Sequence, residues 1–209
     1  MESEKQYIID KQVGKIKRIL IAINSLSYGG IQKALINLLK EISMREDYDI
    51  TLLLTRKKGA YLDQIPENIK VINANKLWSL LETQNKESRE NNFFLWIIRG
   101  VLVVLNRMGK HKLVMKFLEK TQSNVGNYDI AISFRHPDKV ENFAGGSNEL
   151  VLNCCSASLK ATFIHCDYIN YGGESPYNNQ LISRFDRVAV VSKSCEKQLL
   201  KAIPQLTGR

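Results

Sequence analysis

The sequence predicts an α/β fold built on a doubly wound, mainly parallel sheet. Three observations predict it: short apolar runs rich in β-branched residues with no solvent-facing alternation, turns placed directly after them, and amphipathic stretches at helical spacing between them. The clearest unit spans 17–45. Ile19, Leu20, Ile21, Ala22 and Ile23 read as a central strand covered on both faces. Gly29 and Gly30 form a turn, and Ile31, Ala34, Leu35, Leu38, Leu39 and Ile42 then recur at helical spacing opposite Gln32, Lys33, Asn37, Lys40 and Glu41. A buried strand that ends in a glycine turn and opens a helix aims free backbone N–H groups at the crevice above the sheet, where a phosphate can sit. Glycine is equally the default residue of a plain tight turn, so both readings stand on these residues alone. G-x-G-x-x-G and the G-K-[ST] ending are both absent, which argues against a standard dinucleotide or P-loop site.

The remaining elements follow in order. Asp49–Thr55 is a second strand, closed by the basic Arg56, Lys57 and Lys58 and by Gly59, and Ile69–Ala74 is a third after the break at Pro66. Residues 83–92 are polar and read as a linker or exposed loop. Phe93–Ile98 and Val101–Leu105 form an apolar stretch interrupted by Arg99 and Gly100, too short to span a bilayer. Between Arg89 and Lys120, seven Lys and Arg stand against two Glu, or +5. Two readings of 93–120 are open: an interfacial helix lying on an anionic membrane surface, or a helix packed on the sheet beside a solvated basic face. Tyr128–Phe134 is a fourth strand ending in Arg135, His136 and Pro137. Residues 160–168 read as a fifth whose carboxyl end carries His165 and Asp167, and a polar loop follows over 170–179. Asp186–Ser192 is a sixth strand, with Ser192 placed to cap a helix over 193–201.

At 209 residues the chain is long enough for one large α/β domain, expected over 17–203 between a polar leader (1–16) and a short tail (204–209). The leader lacks the continuous apolar segment of a signal peptide, so the expected location is cytoplasmic, peripheral to the inner membrane face if 93–120 binds lipid. A net charge of +9 favours anionic partners, but no nucleic-acid motif is present, and no specific nucleic-acid partner is expected. Cys154, Cys155, Cys166 and Cys195 lack C-x-x-C spacing and read as reduced thiols. Adjacent Cys154 and Cys155 rarely both reach one tetrahedral ion, so no metal centre with His165 and Cys166 is expected.

Three segments in fixed order carry a resemblance: Asn24-Ser-Leu-Ser-Tyr-Gly-Gly-Ile-Gln-Lys33, Phe163-Ile-His-Cys-Asp-Tyr168 and Phe185-Asp-Arg-Val-Ala-Val-Val-Ser192. Together they resemble the N-terminal half of family 4 glycosyltransferases, retaining enzymes of the GT-B fold that use nucleotide-sugar donors, many of which build bacterial surface polysaccharides and lipid-linked sugars. The resemblance implies a Rossmann-like lobe on the acceptor side, with no resident cofactor and a nucleotide-sugar as co-substrate. It implies that Gly29, Gly30 and Ile31 approach the donor diphosphate and that His165 lines the catalytic cleft beside the transferred sugar. Arg135, His136 and Asp167 are acceptor-side candidates by their place at strand ends. A complete family member carries a second Rossmann-like domain holding the nucleotide. The expectation is therefore a half that transfers little or no sugar alone and works with a second lobe, supplied by a continuation of the chain or by a partner chain. A non-catalytic module that docks a membrane or a partner in a two-component glycosyltransferase is the alternative. Glu141 and Glu149 share the spacing of that second domain's paired glutamates, but they precede His165, so the match reads as coincidence.

Overall fold

The computed structural model describes residues 16–208, so the expected leader lies outside the described residues apart from Ile16. Six strands make one sheet: β1 (Lys17–Ile23), β2 (Tyr48–Leu54), β3 (Lys70–Asn73), β4 (Asn127–Ser133), β5 (Ser156–Ile164) and β6 (Arg187–Val190). They lie in the order β3-β2-β1-β4-β5-β6, and every adjacent pair is parallel. The helices are α1 (Gly30–Ile42), α2 (Asn85–Asn91), α3 (Phe93–Arg107), α4 (His111–Thr121), α5 (Ser147–Asn153), α6 (Pro176–Ile182) and α7 (Lys193–Ala202). This is the doubly wound, Rossmann-like architecture the sequence predicts.

Alternation along β1 shows how the two faces are filled. Ile19, Ile21 and Ile23 point toward Leu35, Ile36 and Leu39 of α1. Leu20 and Ala22 point the other way, into a larger cluster with Trp78, Leu102 of α3, Val114 and Leu118 of α4, and Leu150 of α5. Each of these large side chains, fully buried, contributes about 1.5–3 kcal/mol relative to exposure. A third cluster, with Ile164, Tyr168, Ile182, Leu199, Ile203 and Leu206, closes the β6 end of the sheet.

Three segments differ from the sequence reading. The polar stretch 83–92 holds a helix, α2, because the Glu87 carboxylate is bonded to Arg56 and, at 2.9 Å, to Lys58. The loop expected over 170–179 turns helical at Pro176, where Ser175 accepts from the Asn178 N–H at 3.1 Å and Pro occupies the first turn. The fifth strand runs Ser156–Ile164 instead of 160–168, extended at its start by the ladder that pairs Asn127 with Ser156, so His165 and Asp167 lie just past its end. Ser192 caps its helix as expected, accepting from the Cys195 N–H at 3.2 Å. The four cysteines are free, and burial pushes the Cys154 thiol up to about 12.

Two glycines are required by their surroundings. Gly59 has φ +134°, and a Cβ there would lie inside the Leu26 carbonyl. That contact is what lets the loop after β1 lie on the loop after β2, where Leu26 N donates to Lys58 O (2.9 Å) and Tyr61 N to Leu26 O (3.1 Å). Gly146, at φ +97°, starts α5 against the Trp78 ring, 2.7 Å from where a Cβ would be. One turn into α5, Glu149 is 4% exposed and accepts from Tyr177 OH at 3.0 Å. Burial, the dominant cause, pushes its carboxyl up to about 7. Glu141 is exposed in the preceding loop, so the glutamate pair of the sequence has one member in solvent and one in the core.

Two outcomes follow. Gly59→Ala should lower stability by roughly 2–4 kcal/mol, read as a drop in the urea midpoint, because left-handed strain and the Leu26 overlap act together. The folded state binds the Glu149 proton more tightly than the unfolded chain does. Its contribution is therefore complete below the ordinary carboxyl range and is lost as pH rises through about 7. Glu149→Gln, which keeps an acceptor for Tyr177, should unfold at a higher temperature than the parent at pH 8, and this advantage should vanish near pH 4.

Candidate functional site

The direction of winding reverses at β1. The chain runs outward through β2 and β3, then returns to the other edge of β1 as β4 and continues through β5 and β6. Loops leaving β1 and β4 at their carboxyl ends therefore part to opposite faces and leave a crevice, the place where open parallel sheets bind ligands. Because all strands are parallel, the Gly29–Gly30 turn after β1 and His165 after β5 lie on this same rim.

Gly29 has extended backbone at φ 169°, with the Gln32 side chain folded back over the place a Cβ would take, while nothing lies within 4 Å of a Cβ built on Gly30. Positive φ is thus not the reason for the pair; Gly29 makes room for the Gln32 side chain, and Gly30 leaves its own position at the helix start open. No side chain caps this end and no acidic residue sits in the first turn, so the N–H groups of Gly30 and Ile31 have no capping partner, and the first backbone bond of the helix runs from Lys33 N to Gly29 O at 3.0 Å. Half-buried Ile31 itself packs its side chain on the α1 face of the core.

Between the diverging loops lies a polar layer. Asn24, fully buried, continues β1, and its Nδ2 donates to Glu82 Oε1 at 2.8 Å, while Ser25 Oγ donates to Glu82 Oε2 at 3.4 Å. Glu82 reaches this point from the short 3-10 turn Trp78–Glu82. Burial raises its carboxyl pKa, opposed by the Arg135 charge and the Asn24 hydrogen bond. On the opposite wall, the Phe134 N–H donates to Ala22 O at 2.8 Å and so carries β4 directly into Arg135 and His136. Arg135 Nη2 donates to Asp138 Oδ1 at 3.0 Å, and Tyr171 OH donates to the same oxygen at 3.2 Å. His136, 7% exposed, meets the Tyr171 ring edge-on at 4.9 Å.

Five buried side-chain atoms in this layer have no hydrogen-bond partner among the described residues: Asn24 Oδ1, Arg135 Nε, His136 Nδ1, Asp138 Oδ2 and His165 Nε2. Buried polar atoms are ordinarily paired, at a cost of about 1–3 kcal/mol each when they are not. Only one further such atom, Trp78 Nε1, occurs among the described residues, so the unmet capacity is concentrated at the crevice.

Both histidines are neutral at physiological pH. Burial, with the adjacent Arg135 charge, pushes His136 down to about 4. Burial also lowers His165, opposed by a hydrogen bond with the Phe134 backbone. The His165 ring is stacked on Phe163 at 5.6 Å and tilted against Phe134 at 5.0 Å. A neutral imidazole held by two aromatic rings offers one nitrogen to a hydroxyl group and neither repels nor attracts by charge.

The predicted site residues thus divide. Arg135, His136 and His165 come together, and Gly29, Gly30 and Ile31 stand on the same rim. Asp167 does not join them: its carboxylate accepts from Asn170 N (3.1 Å) and Asn170 Nδ2 (2.9 Å), so it shapes the turn after β5. The guanidinium of Arg135 is already balanced by Asp138, which leaves Nε free but little net charge for an anion. Glu82, Asp138 and Tyr171 were not singled out from the sequence. Glu82 lies in a short 3-10 turn with no periodic signal, and only long-range folding brings it to Asn24. No group of three His, Cys, Asp or Glu side chains that could hold a metal ion occurs among the described residues. Neither a family model nor a curated protein matches this chain.

A proton-by-proton NMR titration checks the electrostatics. The His136 ring should protonate near pH 4 and His165 below the ordinary histidine range, and both should leave the neutral form only as the pH falls. Their contribution to stability is present above about pH 6.5 and lost as pH drops through those lower values. A His136 midpoint of 6.5 or higher would contradict the buried geometry.

Proposed function

We propose that this chain is the acceptor-side lobe of a retaining GT-B glycosyltransferase. In the complete enzyme it would help move a sugar from a nucleotide-sugar donor to a saccharide or lipid-linked acceptor, in bacterial surface polysaccharide synthesis. The observation that carries this reading is the convergence of unpartnered polar atoms from Asn24, Arg135, His136, Asp138 and His165 at the switch-point rim. Such a layer, with both donors and acceptors and little net charge, suits a ligand dense in hydroxyl groups. The order of the three family-like segments supports the same reading, because the first and second end at this rim.

In this reading each part has a separate task. His165 Nε2 hydrogen-bonds a sugar hydroxyl and keeps the imidazole neutral while doing so. Glu82, kept from easy ionisation by burial, fixes Asn24 and Ser25 and so holds the loop after β1 in place beneath the bound sugar. The uncapped first turn of α1 offers backbone N–H groups and a positive helix end to the diphosphate as negative charge develops on it. The nucleotide itself would be held by the second lobe, whether that lobe continues this chain or belongs to a partner.

Ligand-observed NMR with a panel of di- to tetrasaccharides, recorded together with the backbone amide spectrum of the protein, tests the reading. Saccharide binding should move amides of 24–30, 134–138 and 165–171, and His165→Ala should weaken it about tenfold or more, the value of one or two hydrogen bonds to a buried partner. Sugar transfer from nucleotide-sugars by the purified chain should be negligible. Absence of binding by every saccharide and sugar phosphate would overturn the glycosyltransferase reading, and vigorous transfer by the chain alone would overturn its assignment as a half.

A further inference from the structure

We infer that the outer face of α3 and α4 docks flat on an anionic lipid bilayer and holds the crevice rim beside the lipid headgroups. α3 is apolar on both sides. Leu102 and Asn106 face the core, while Phe93, Ile97, Val101, Val104 and Met108 form one stripe on the opposite side, each between 44% and 62% exposed, with Phe94 beside them at 76%. A helix apolar all round calls for an apolar partner on its free side. Its fifteen residues include no acid, and no described helix is long and apolar enough to cross a membrane. A helix of that length lying in the interface covers about 22 Å.

The next helix, α4, carries its own exposed apolar pair, Leu113 and Phe117. Beside them Lys112, Lys116 and Lys120 repeat on the next strip of the same helix, and Arg107 and Lys110 stand exposed at the junction. The one acid of α4, Glu119, borders Lys112 and Lys116 on that strip and accepts from Asn153 at 2.6 Å, leaving three cations to one acid along it. An apolar strip bordered by cations is complementary to acyl chains beneath anionic headgroups. The same border argues against a second copy as the occupant, since a two-fold contact through this face would bring two cationic rims together. Next to the stripe, Gly100 leaves a groove of about 480 Å³ lined by Trp96, Ile97, Val101, Val104 and Leu105, open and apolar enough for a hydrocarbon chain.

α3 is fastened to the segments that build the crevice. Arg99 Nε donates to Thr83 O, next to Glu82, at 2.9 Å, and Asn106 Nδ2 donates to Val140 O and Glu141 O, both at 3.1 Å, in the loop that carries Arg135 to Asp138. Docking would therefore hold the crevice at a constant place relative to the bilayer, where a lipid-linked acceptor is presented. That consequence rests on the function proposed above; the docking itself does not.

Vesicle flotation of the whole chain separates the outcomes, with phosphatidylcholine vesicles compared with vesicles containing phosphatidylglycerol. The protein should float with the anionic vesicles only, and Trp96 emission should shift to the blue while fully buried Trp78 stays constant. Phe94→Glu/Val101→Glu and, separately, Lys112→Glu/Lys116→Glu should each reduce binding about thirtyfold or more at unchanged thermal stability, since each cation near the surface is worth about 1 kcal/mol, or fivefold. Negligible flotation with both vesicles, or variants that bind like the parent, would overturn the inference. A lipid-free dimer in sedimentation that Phe94→Glu/Val101→Glu dissolves would overturn it too, by assigning the face to a second copy. No sugar enters this assay and no lipid enters the saccharide titration, so either reading can fail without the other.

Discussion

The parallel pairing of β1 on both of its edges is the constraint on which the site depends. β1 is bonded to β2 from Lys17 to Ile23 and to β4 from Ile19 to Ala22, and the Phe134 N–H extends the second ladder onto Ala22 O. With β1 in the centre, the loops after β1 and β4 must leave toward opposite faces. The crevice is the geometric result. Backbone bonds from Asn24 and Leu26 to the loop after β2 fix the chain on either side of Ser25.

What fills the floor of the crevice is unusual for a protein interior. Apolar packing surrounds it on both faces of the sheet, yet Asn24, Ser133, His136 and Asn148 are all buried in or beside it. Part of this polarity is internally satisfied: Ser133 Oγ lies 3.1 Å from Ser147 Oγ, and Asn148 Nδ2 donates to Arg135 O at 2.9 Å. These bonds lock the 133–148 loop to the start of α5. The structure satisfies some of these buried groups closely and leaves adjacent ones unmet.

A second tension lies on the outside. α3 and α4 supply Leu102, Val114, Met115 and Leu118 to the larger core cluster, so they belong to the fold, while α3 also exposes Phe93, Phe94, Ile97, Val101 and Val104. The two readings of 93–120 left open by the sequence are therefore compatible: one side packs on the sheet, and the other is free for a further partner. Burial could not be assigned from composition because both sides of α3 have it.

The amino-acid sequence by itself determined the sheet. Runs such as Ile19–Ile23 and Leu52–Leu54 announce strands buried on both faces, their separation by amphipathic helices forces parallel crossovers, and Ser192 announces the cap of the last helix. It also placed His165 at a strand end and Arg135 and His136 at another, because strand ends are marked by where apolar runs stop. Only the tertiary structure decided that these three residues meet, that Asp167 is spent on Asn170, and that Glu82 stands under Asn24. The physical reason is range. Periodicity and capping are local signals within a few residues, whereas a hydrogen bond between Asn24 and Glu82 or the field of Arg135 on His136 depends on which strands become neighbours, and that is settled by the packing of the whole chain.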